Sequence, residues 1–265
     1  MRLNIVLPIY NERENLEKLF ADIDKACTEA QLRYFLVCVN DGSSDGSKEL
    51  LEELSKRYES HIVEHRLNRG LGETIRDGFE CAAELSGADD IIIRLDADNT
   101  HAPQYIPDLV NAIRDGADIA IASRFLPGGG MVGLSNDRTV ISKVANIIFR
   151  VCFPMGGLQE YTCGYRAYRA SLIQRAIDFY KGNFLQLRGL GFCCTVEKLV
   201  KLKLLGAKLQ EVPFVLRYDL KASESKIALN VTTFGYAMMT ILYHWPQGGW
   251  RRTVRKRLRV QRSEQ

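Results

Sequence analysis

The sequence predicts an α/β fold in which a central, mainly parallel sheet is flanked by helices. Three observations predict it. Short apolar runs alternate with helix-like segments through the first half of the chain. Between the first two runs, Leu16, Leu19, Phe20 and Ile23 follow the i, i+3, i+4, i+7 spacing of an amphipathic helix. Polar clusters follow the apolar runs, at the carboxyl ends of the predicted strands, where ligands bind in open α/β sheets. Strand, helix and strand at this spacing make βαβ units.

The predicted strands are residues 3–7, 35–39, 61–65, 91–95 and 119–122, each rich in Ile, Val, Leu or Ala. Asn11 followed by Glu14 predicts a capping box at the start of the first helix. The Gly-Leu-Gly at 70–72 does not follow the first strand and lacks a third glycine at the required offset. It is read as a helix entry, not a dinucleotide fingerprint. Pro127-Gly128-Gly129-Gly130 predicts a loop. Residues 139–152 and 195–205 have helical spacing, and 210–216 reads as a further strand. There is no internal repeat, so the expected organisation is one domain over 1–227 and an extension over 228–265.

Of the 265 residues, 46% are hydrophobic and 26% charged, the balance of a soluble globular protein able to bury a sizeable core. The start, Met1-Arg2-Leu3, runs straight into strand-like sequence, so no signal peptide is expected. Seven scattered cysteines form no zinc-type pair and are expected as reduced, packed thiols. The net charge of +4 is unevenly distributed. Residues 251–265 hold seven Lys or Arg and one Glu, or +6, while the other 250 residues carry 29 positive and 31 negative charges, or −2. Residues 227–250 contain no charged side chain, yet their apolar part, 234–245, is shorter than the ~20 residues of a membrane span. Two arrangements fit: an interfacial amphipathic helix with a polybasic tail on a membrane surface, or a helix packed on the core with a solvated tail. No aromatic stacking platform accompanies the basic tail, so nucleic acid is not an expected partner.

The polar clusters carry the chemistry. Asp96 and Asp98 follow the run Ile91-Ile92-Ile93, and a strongly apolar strand does not end on two anions without a reason. Alternate positions of a strand face one way, and such a pair suits a hard divalent cation whose shell is completed by substrate phosphate. The plain alternative is a solvated turn. The loop NDGSSDGS (40–47) could offer Asp41 to a nucleobase or ribose, or could be a turn in which Ser43, Ser44 or Asp45 caps a helix; both can hold at once. His101 is a base or ligand candidate, or a helix-entry residue with a backbone hydrogen bond.

An ordered series of motifs resembles the family 2 glycosyltransferases of the GT-A fold, and among them the dolichol-phosphate and polyprenol-phosphate sugar synthases. The series is LPIYNERENL (7–16), VNDGSSDGS (39–47), NRGLGETIRDGF (68–79), LDADNTHAPQYIPDLV (95–110), SRF (123–125), RTVISKVAN (138–146), EYTCGYRAYR (160–169) and EVPFVLRYDLKASESKI (211–227). The resemblance implies that Pro8, Tyr10, Glu12, Val39 and Asp41 hold the nucleotide of a sugar donor such as GDP-mannose or UDP-glucose. It implies that Asp96, Ala97 and Asp98 hold the diphosphate, with Asp96 and Asp98 on Mg2+ or Mn2+. Arg217 and Lys226 would close over the diphosphate, and Arg124 would also bind the nucleotide sugar. Arg124, Arg138 and Ser142 would take the phosphate of a dolichyl or polyprenyl acceptor, Arg138 and Ser142 being four apart on one helix face. Asp98, Arg124 and Arg138 would then be the catalytic set of a metal-dependent, inverting hexosyltransferase, peripheral on the cytoplasmic face of a membrane. A non-lipid acceptor, or a nucleotide-sugar-binding module without catalysis, are the other readings. Four positions depart from the family pattern: Asn40 replaces one of a usual acidic pair, Thr100 and Glu160 stand where other residues are common, and Asp219–Ala222 lengthen the gap between Arg217 and Lys226.

Overall fold

The computed structural model describes residues 1–220 and 229–263. The first half of the chain contains β1 (Leu3–Ile9), α1 (Arg13–Glu29), β2 (Tyr34–Asn40), α2 (Ser47–Leu54), β3 (Ser60–Glu64), α3 (Leu71–Glu84), β4 (Ile91–Arg94), α4 (Ile106–Arg114) and β5 (Ile119–Ser123). The second half contains β6 (Gly130–Val132), α5 (Asn136–Cys152), β7 (Arg166–Arg169), α6 (Ala170–Tyr180), α7 (Cys193–Leu204), β8 (Leu209–Pro213), β9 (Val215–Arg217), α8 (Leu229–His244) and α9 (Trp250–Ser263). The main sheet has the order β3-β2-β1-β4-β7-β5-β8. All its pairings are parallel except those of β7, which is antiparallel to both β4 and β5.

Side-chain alternation divides the core into two layers. Leu3, Ile5, Leu7 and Ile9 of β1, with Ile91 and Ile93 of β4, face α1, α2 and α4. Val6, Val37, Ile92, Ile119 and Ile121 face α3, α6 and α7. The predicted periodicity of α1 is its buried stripe: Leu16, Leu19, Phe20 and Ile23 are all inside. The mainly parallel sheet flanked by helices is therefore as the sequence predicts.

Several boundaries differ. The capping box does not form: Asn11 adopts a left-handed φ of 52°, and α1 starts at Arg13 without a side-chain cap. The predicted helix over 139–152 starts at Asn136. The predicted strand over 210–216 is two strands, β8 in the main sheet and β9 paired with β6 in a small separate ladder. Between them Phe214 is fully buried, and its amide donates to the Ser123 carbonyl at 2.9 Å. β7 has no apolar run and is not visible to a periodicity argument.

The C-terminal segment also differs from a solvated tail. Trp250–Ser263 is helical, and Trp250 and Val254 are buried in the same cluster as α7 and Met239 of α8. The Trp250 indole N–H donates to Gln186 Oε1 at 3.0 Å. Pro246 and Gly248-Gly249 break the chain between α8 and α9 as their sequence suggests. Among the described residues no helix is long and apolar enough to cross a membrane.

Candidate active site

β1 and β4 lie side by side, while the chain runs outward from β1 through β2 to β3 on one side and from β4 on the other. The chain order reverses between them, and a crevice opens at such a switch point at the strands' carboxyl ends. The loop after β1 and the acidic loop after β4 both fall there.

The first loop is tied to the loop after β2. The Asn11 amide donates to Ser43 Oγ at 2.9 Å, and Asn11 Oδ1 accepts from the Ser44 amide at 2.8 Å. The Glu12 amide donates to Ser47 Oγ at 3.1 Å and the Arg13 amide to Asp45 Oδ2 at 3.0 Å. Asp45 also accepts from the Ser47 amide at 3.0 Å, but the N-cap of α2 is Gly46, with a left-handed φ of 88° and no side-chain cap, so none of Ser43, Ser44 and Asp45 is the cap. Pro8 is paired in register with Val39. The Val39 side chain points into the core, close to where a Cβ on Gly78 would sit, so a nucleotide could meet only its backbone. Tyr10 is half-buried and Glu12 buried beside it, with Glu12 Oε2 accepting from Asn15 Nδ2 at 2.7 Å. Asp41 is buried and already accepts from the His65 ring at 2.7 Å and from the Arg69 and Gly70 amides at 2.8 and 2.9 Å. It anchors the entry to α3, where Gly70 takes a φ of 87°. His65 also reaches Asp77 at 3.0 Å through its other nitrogen. Sequence spacing gave no hint of this Asp41–His65–Asp77 chain.

The acidic pair lies beyond the end of β4, not on it, so strand alternation is not what orients the two carboxylates. Their environments differ. The Asp96 side chain is 29% exposed and accepts from the buried Arg94 guanidinium. Asp98 is buried, and its Oδ1 accepts from the Thr100 hydroxyl at 2.6 Å and amide at 3.2 Å. Ala97 between them packs into the core. Asn99 turns the loop with a φ of 61° and donates to Asn15 Oδ1 at 3.0 Å, joining the loop to α1. His101 is buried, and its Nδ1 accepts from the Asp96 amide at 2.9 Å. That bond leaves the proton of the neutral ring on Nε2. Burial holds its pKa below the usual 6.5, against the opposing charge of Asp96. His101 is thus a neutral ring that orders the acidic loop, the backbone-bonding reading of the sequence.

The arginines separate into two kinds. The Arg124 side chain is 9% exposed and held bidentately by Glu160, Nε to Oε2 at 2.7 Å and Nη2 to Oε1 at 2.8 Å. Burial alone would raise the Glu160 pKa, but the charge and hydrogen bonds of Arg124 hold it below 4.5. Arg138, in the first turn of α5, is exposed, and its Nη1 donates to the Tyr218 hydroxyl at 2.8 Å. Ser142 is one turn on, its carbonyl accepting from Asn146 Nδ2 at 2.8 Å. Asn146 ties α5 to the Arg124 pocket through Thr162 Oγ1 at 3.3 Å and the Tyr161 amide at 2.6 Å. Arg217 is paired with Asp219 on the surface, while its amide donates to the Thr100 carbonyl at 3.2 Å, so β9 touches the acidic loop. Lys226 lies outside the described residues.

The model of the family described as "Glycosyl transferase family 2" matches residues 4–198, which include the loops after β1, β2 and β4 but not Arg217 or Tyr218. The chain belongs to glycosyl transferase family 2. It is 35% identical over 238 residues to a dolichol-phosphate mannosyltransferase of Pyrococcus furiosus, covering 89% of this chain and 62% of that protein, so it spans less than two thirds of that relative's length. It is 32% identical over 246 residues to an undecaprenyl-phosphate mannosyltransferase of Micrococcus luteus, covering 89% and 95% of the two chains. A crystal structure of glucosyl-3-phosphoglycerate synthase from Mycobacterium tuberculosis, in complex with Mn2+, uridine diphosphate and phosphoglyceric acid, superposes with a TM-score of 0.59 at 16% identity, over 91% of this chain and 77% of that one. The fold is that of the GT-A glycosyltransferases.

In this family 2 chain the acidic loop offers oxygen donors, chiefly the carboxylates of Asp96 and Asp98, and not the His101 Nδ1, which is occupied by a backbone N–H. Among the described residues no group of three or more His, Cys, Asp or Glu could hold an ion alone. Two carboxylates with substrate phosphate and water are what Mg2+ or Mn2+ requires, so the residues present fit such an ion.

Proposed function

We propose that this protein transfers a hexose, mannose or glucose, from a nucleotide sugar to dolichyl or polyprenyl phosphate, in a metal-dependent reaction that inverts the anomeric carbon. The observation that carries this reading is the junction of the β1 loop and the acidic loop at the switch point, with α5 and its Arg138 tied to the same region through Asn146. The Pyrococcus furiosus and Micrococcus luteus relatives, named for lipid-phosphate mannosyl transfer, support the acceptor class.

Pro8, Tyr10, Glu12 and Asp41 form the nucleotide side of the crevice, with the Val39 backbone beside them. Asp96 and Asp98 would hold Mg2+ or Mn2+, whose chemistry there is to neutralise charge growing on the leaving nucleoside diphosphate. Arg217, whose strand touches the acidic loop, would lie toward the diphosphate. A polyprenyl monophosphate already carries an anionic oxygen near neutral pH, so no protein base is needed. Arg138 and Ser142 hold that phosphate in line behind the anomeric carbon, where orientation supplies much of the rate. Arg124, its charge taken by Glu160, acts as the anchored floor of the acceptor side and has one Nη1 N–H left for the phosphate, the others going to Glu160, Thr162 Oγ1 and Met131 Sδ.

The same reading puts the protein on a membrane surface through its C-terminal helices. α8 exposes Val231, Phe234 and Ile241, Trp245 just after it is exposed, and the neighbouring α5 exposes Val140, Ile141, Val144, Ile147, Ile148 and Val151. Phe149 of α5 packs edge-on against Tyr236 of α8 with ring centroids 4.6 Å apart. A cleft of about 570 Å³ beside Trp245 is lined by Arg251, Arg252, Arg255, Lys256 and Arg259, a cation density suited to anionic headgroups.

The test is a partition assay with radiolabelled GDP-mannose or UDP-glucose, Mn2+ and a short polyprenyl phosphate. Label moving to the organic phase is expected. Label recovered only in water-soluble glycan would favour a non-lipid acceptor, and donor binding without turnover a binding module; either would overturn the proposal.

A further inference from the structure

We infer that Arg94 is a positioning residue that reserves one oxygen of Asp96, so that the acidic pair takes a divalent cation weakly by itself and strongly only together with a nucleoside diphosphate. The inference rests on the metal role proposed for Asp96 and Asp98. It starts from an oddity of β4: after three isoleucines the strand ends on an arginine whose side chain is 2% exposed.

A buried guanidinium is costly unless paired and hydrogen-bonded. Arg94 Nη2 donates to Asp96 Oδ1, and Asp96 is the one acid recorded in an ion pair with it among the described residues. Its Nε has no hydrogen-bond partner there. The socket is built for it: a Cβ on Gly164 would lie 1.1 Å from Arg94 Nη1, so no other residue at 164 would admit the guanidinium.

Two more basic groups lie in the same layer. Arg166 is fully buried and donates to the carbonyls of Thr195 at 3.0 Å and Tyr161 at 2.6 Å. Lys198 is buried with its Nζ 3.4 Å from the Phe79 ring centroid. Burial, then the charges of Arg94 and Arg166, holds the Lys198 pKa well below 10.5, which places the three groups within each other's field. The nearby acids Glu160 and Glu197 are engaged elsewhere, with Arg124 and Lys201.

Lys198 is thus pushed toward its neutral form, and the fixed positive charge under the acidic loop is that of Arg94 and Arg166, both buried away from water. A bare divalent cation in that loop is opposed by the guanidinium and finds one Asp96 oxygen already committed. A diphosphate brings anionic oxygens that the same fixed charge favours, and with them the rest of the cation's shell. Cation and nucleotide should then bind synergistically, each strengthening the other by the same factor.

The test is a titration of the full chain with Mn2+, followed by the loss of the free-ion paramagnetic resonance signal, alone and with GDP or UDP. Arg94→Met is expected to bind Mn2+ alone roughly tenfold more tightly than the unaltered protein, and to show a smaller gain on adding nucleotide. Arg94→Lys, which keeps the charge, is expected to stay close to the unaltered protein. Disorder of the loop would weaken Mn2+ binding, so tightening separates this role from a merely structural one. Unchanged or weaker Mn2+ binding by Arg94→Met with a native circular dichroism spectrum would overturn the inference while leaving the metal role standing. If Arg94→Met does not fold, Arg94→Lys decides: a Mn2+ affinity and nucleotide gain like those of the unaltered protein support the inference, and an altered gain overturns it. Absence of Mn2+ binding by the unaltered protein, with and without nucleotide, would remove the metal role and the inference together.

Discussion

At the scale of single residues, the acidic pair and the arginines were legible from the sequence, but their partners were not. Asp96 and Asp98 stand out because they close an apolar run. The Arg94 bond to Asp96 joins residues two apart, yet only the burial of Arg94 makes it matter, and burial at a strand end depends on what the second half of the chain lays across it. Glu160 meets Arg124 across 36 positions, a pairing set by β7 and its preceding loop and not by any local pattern. That pair carries a stability prediction. Glu160→Gln leaves the Arg124 guanidinium buried without its counter-charge, at a cost of about 3–5 kcal/mol. Glu160 is ionised in the folded state below its unfolded pKa of 4.5, so its contribution is complete above that value and is lost as pH falls through the lower, folded pKa. Denaturant melts of both proteins should differ by a constant amount above pH 4.5 and converge in more acidic solution. A gap that persists unchanged far into acid would mean that the lost carboxylate is not the cause.

At the scale of elements, periodicity located the first five strands and the helices α1, α5 and α7, because buried parallel strands are apolar runs and α1 has a clear stripe. It missed β7, whose four residues are Arg-Ala-Tyr-Arg. Arg166 is buried there by bonds to two carbonyls, a tertiary effect with no sequence signature. The capping box failed for a local reason: the Asn11 side chain bonds across to the Ser44 amide instead of capping α1. The start of α3 gives the prediction at this scale. A Cβ on Gly72 would come within 2.0 Å of the Arg188 carbonyl oxygen, so the helix and the segment before α7 can touch only at a glycine. Gly72→Ala should destabilise by about 1–3 kcal/mol as the two backbones part, seen as faster hydrogen exchange at residues 185–190; exchange equal to that of the unaltered protein would show that the contact tolerates a methyl group.

At the scale of the whole molecule, charge and apolar surface are segregated. The cations of residues 251–265 lie on α9, while the uncharged faces of α5 and α8 are exposed. A contiguous exposed apolar face of this kind marks an interaction site. Sequence composition revealed the basic segment but not that it is a helix docked by Trp250 and Val254, although Trp250, Val254 and Leu258 stand four apart, the spacing of one helix face. Ile148→Glu, at an exposed site, should leave thermal stability within about 0.5 kcal/mol and reduce sedimentation with anionic phospholipid vesicles severalfold; undiminished sedimentation would remove α5 from the membrane contact. The central claim is narrower than the membrane question: the acidic loop couples a divalent ion to a nucleoside diphosphate. Calorimetric titration of GDP and UDP into the protein, with Mn2+ and with EDTA, tests it directly, using Asp98→Ala as the control. The expected result is at least tenfold tighter binding of one nucleotide with Mn2+, lost in Asp98→Ala. Equal affinity in Mn2+ and EDTA, or an Asp98→Ala protein that keeps the full Mn2+ effect, would contradict it.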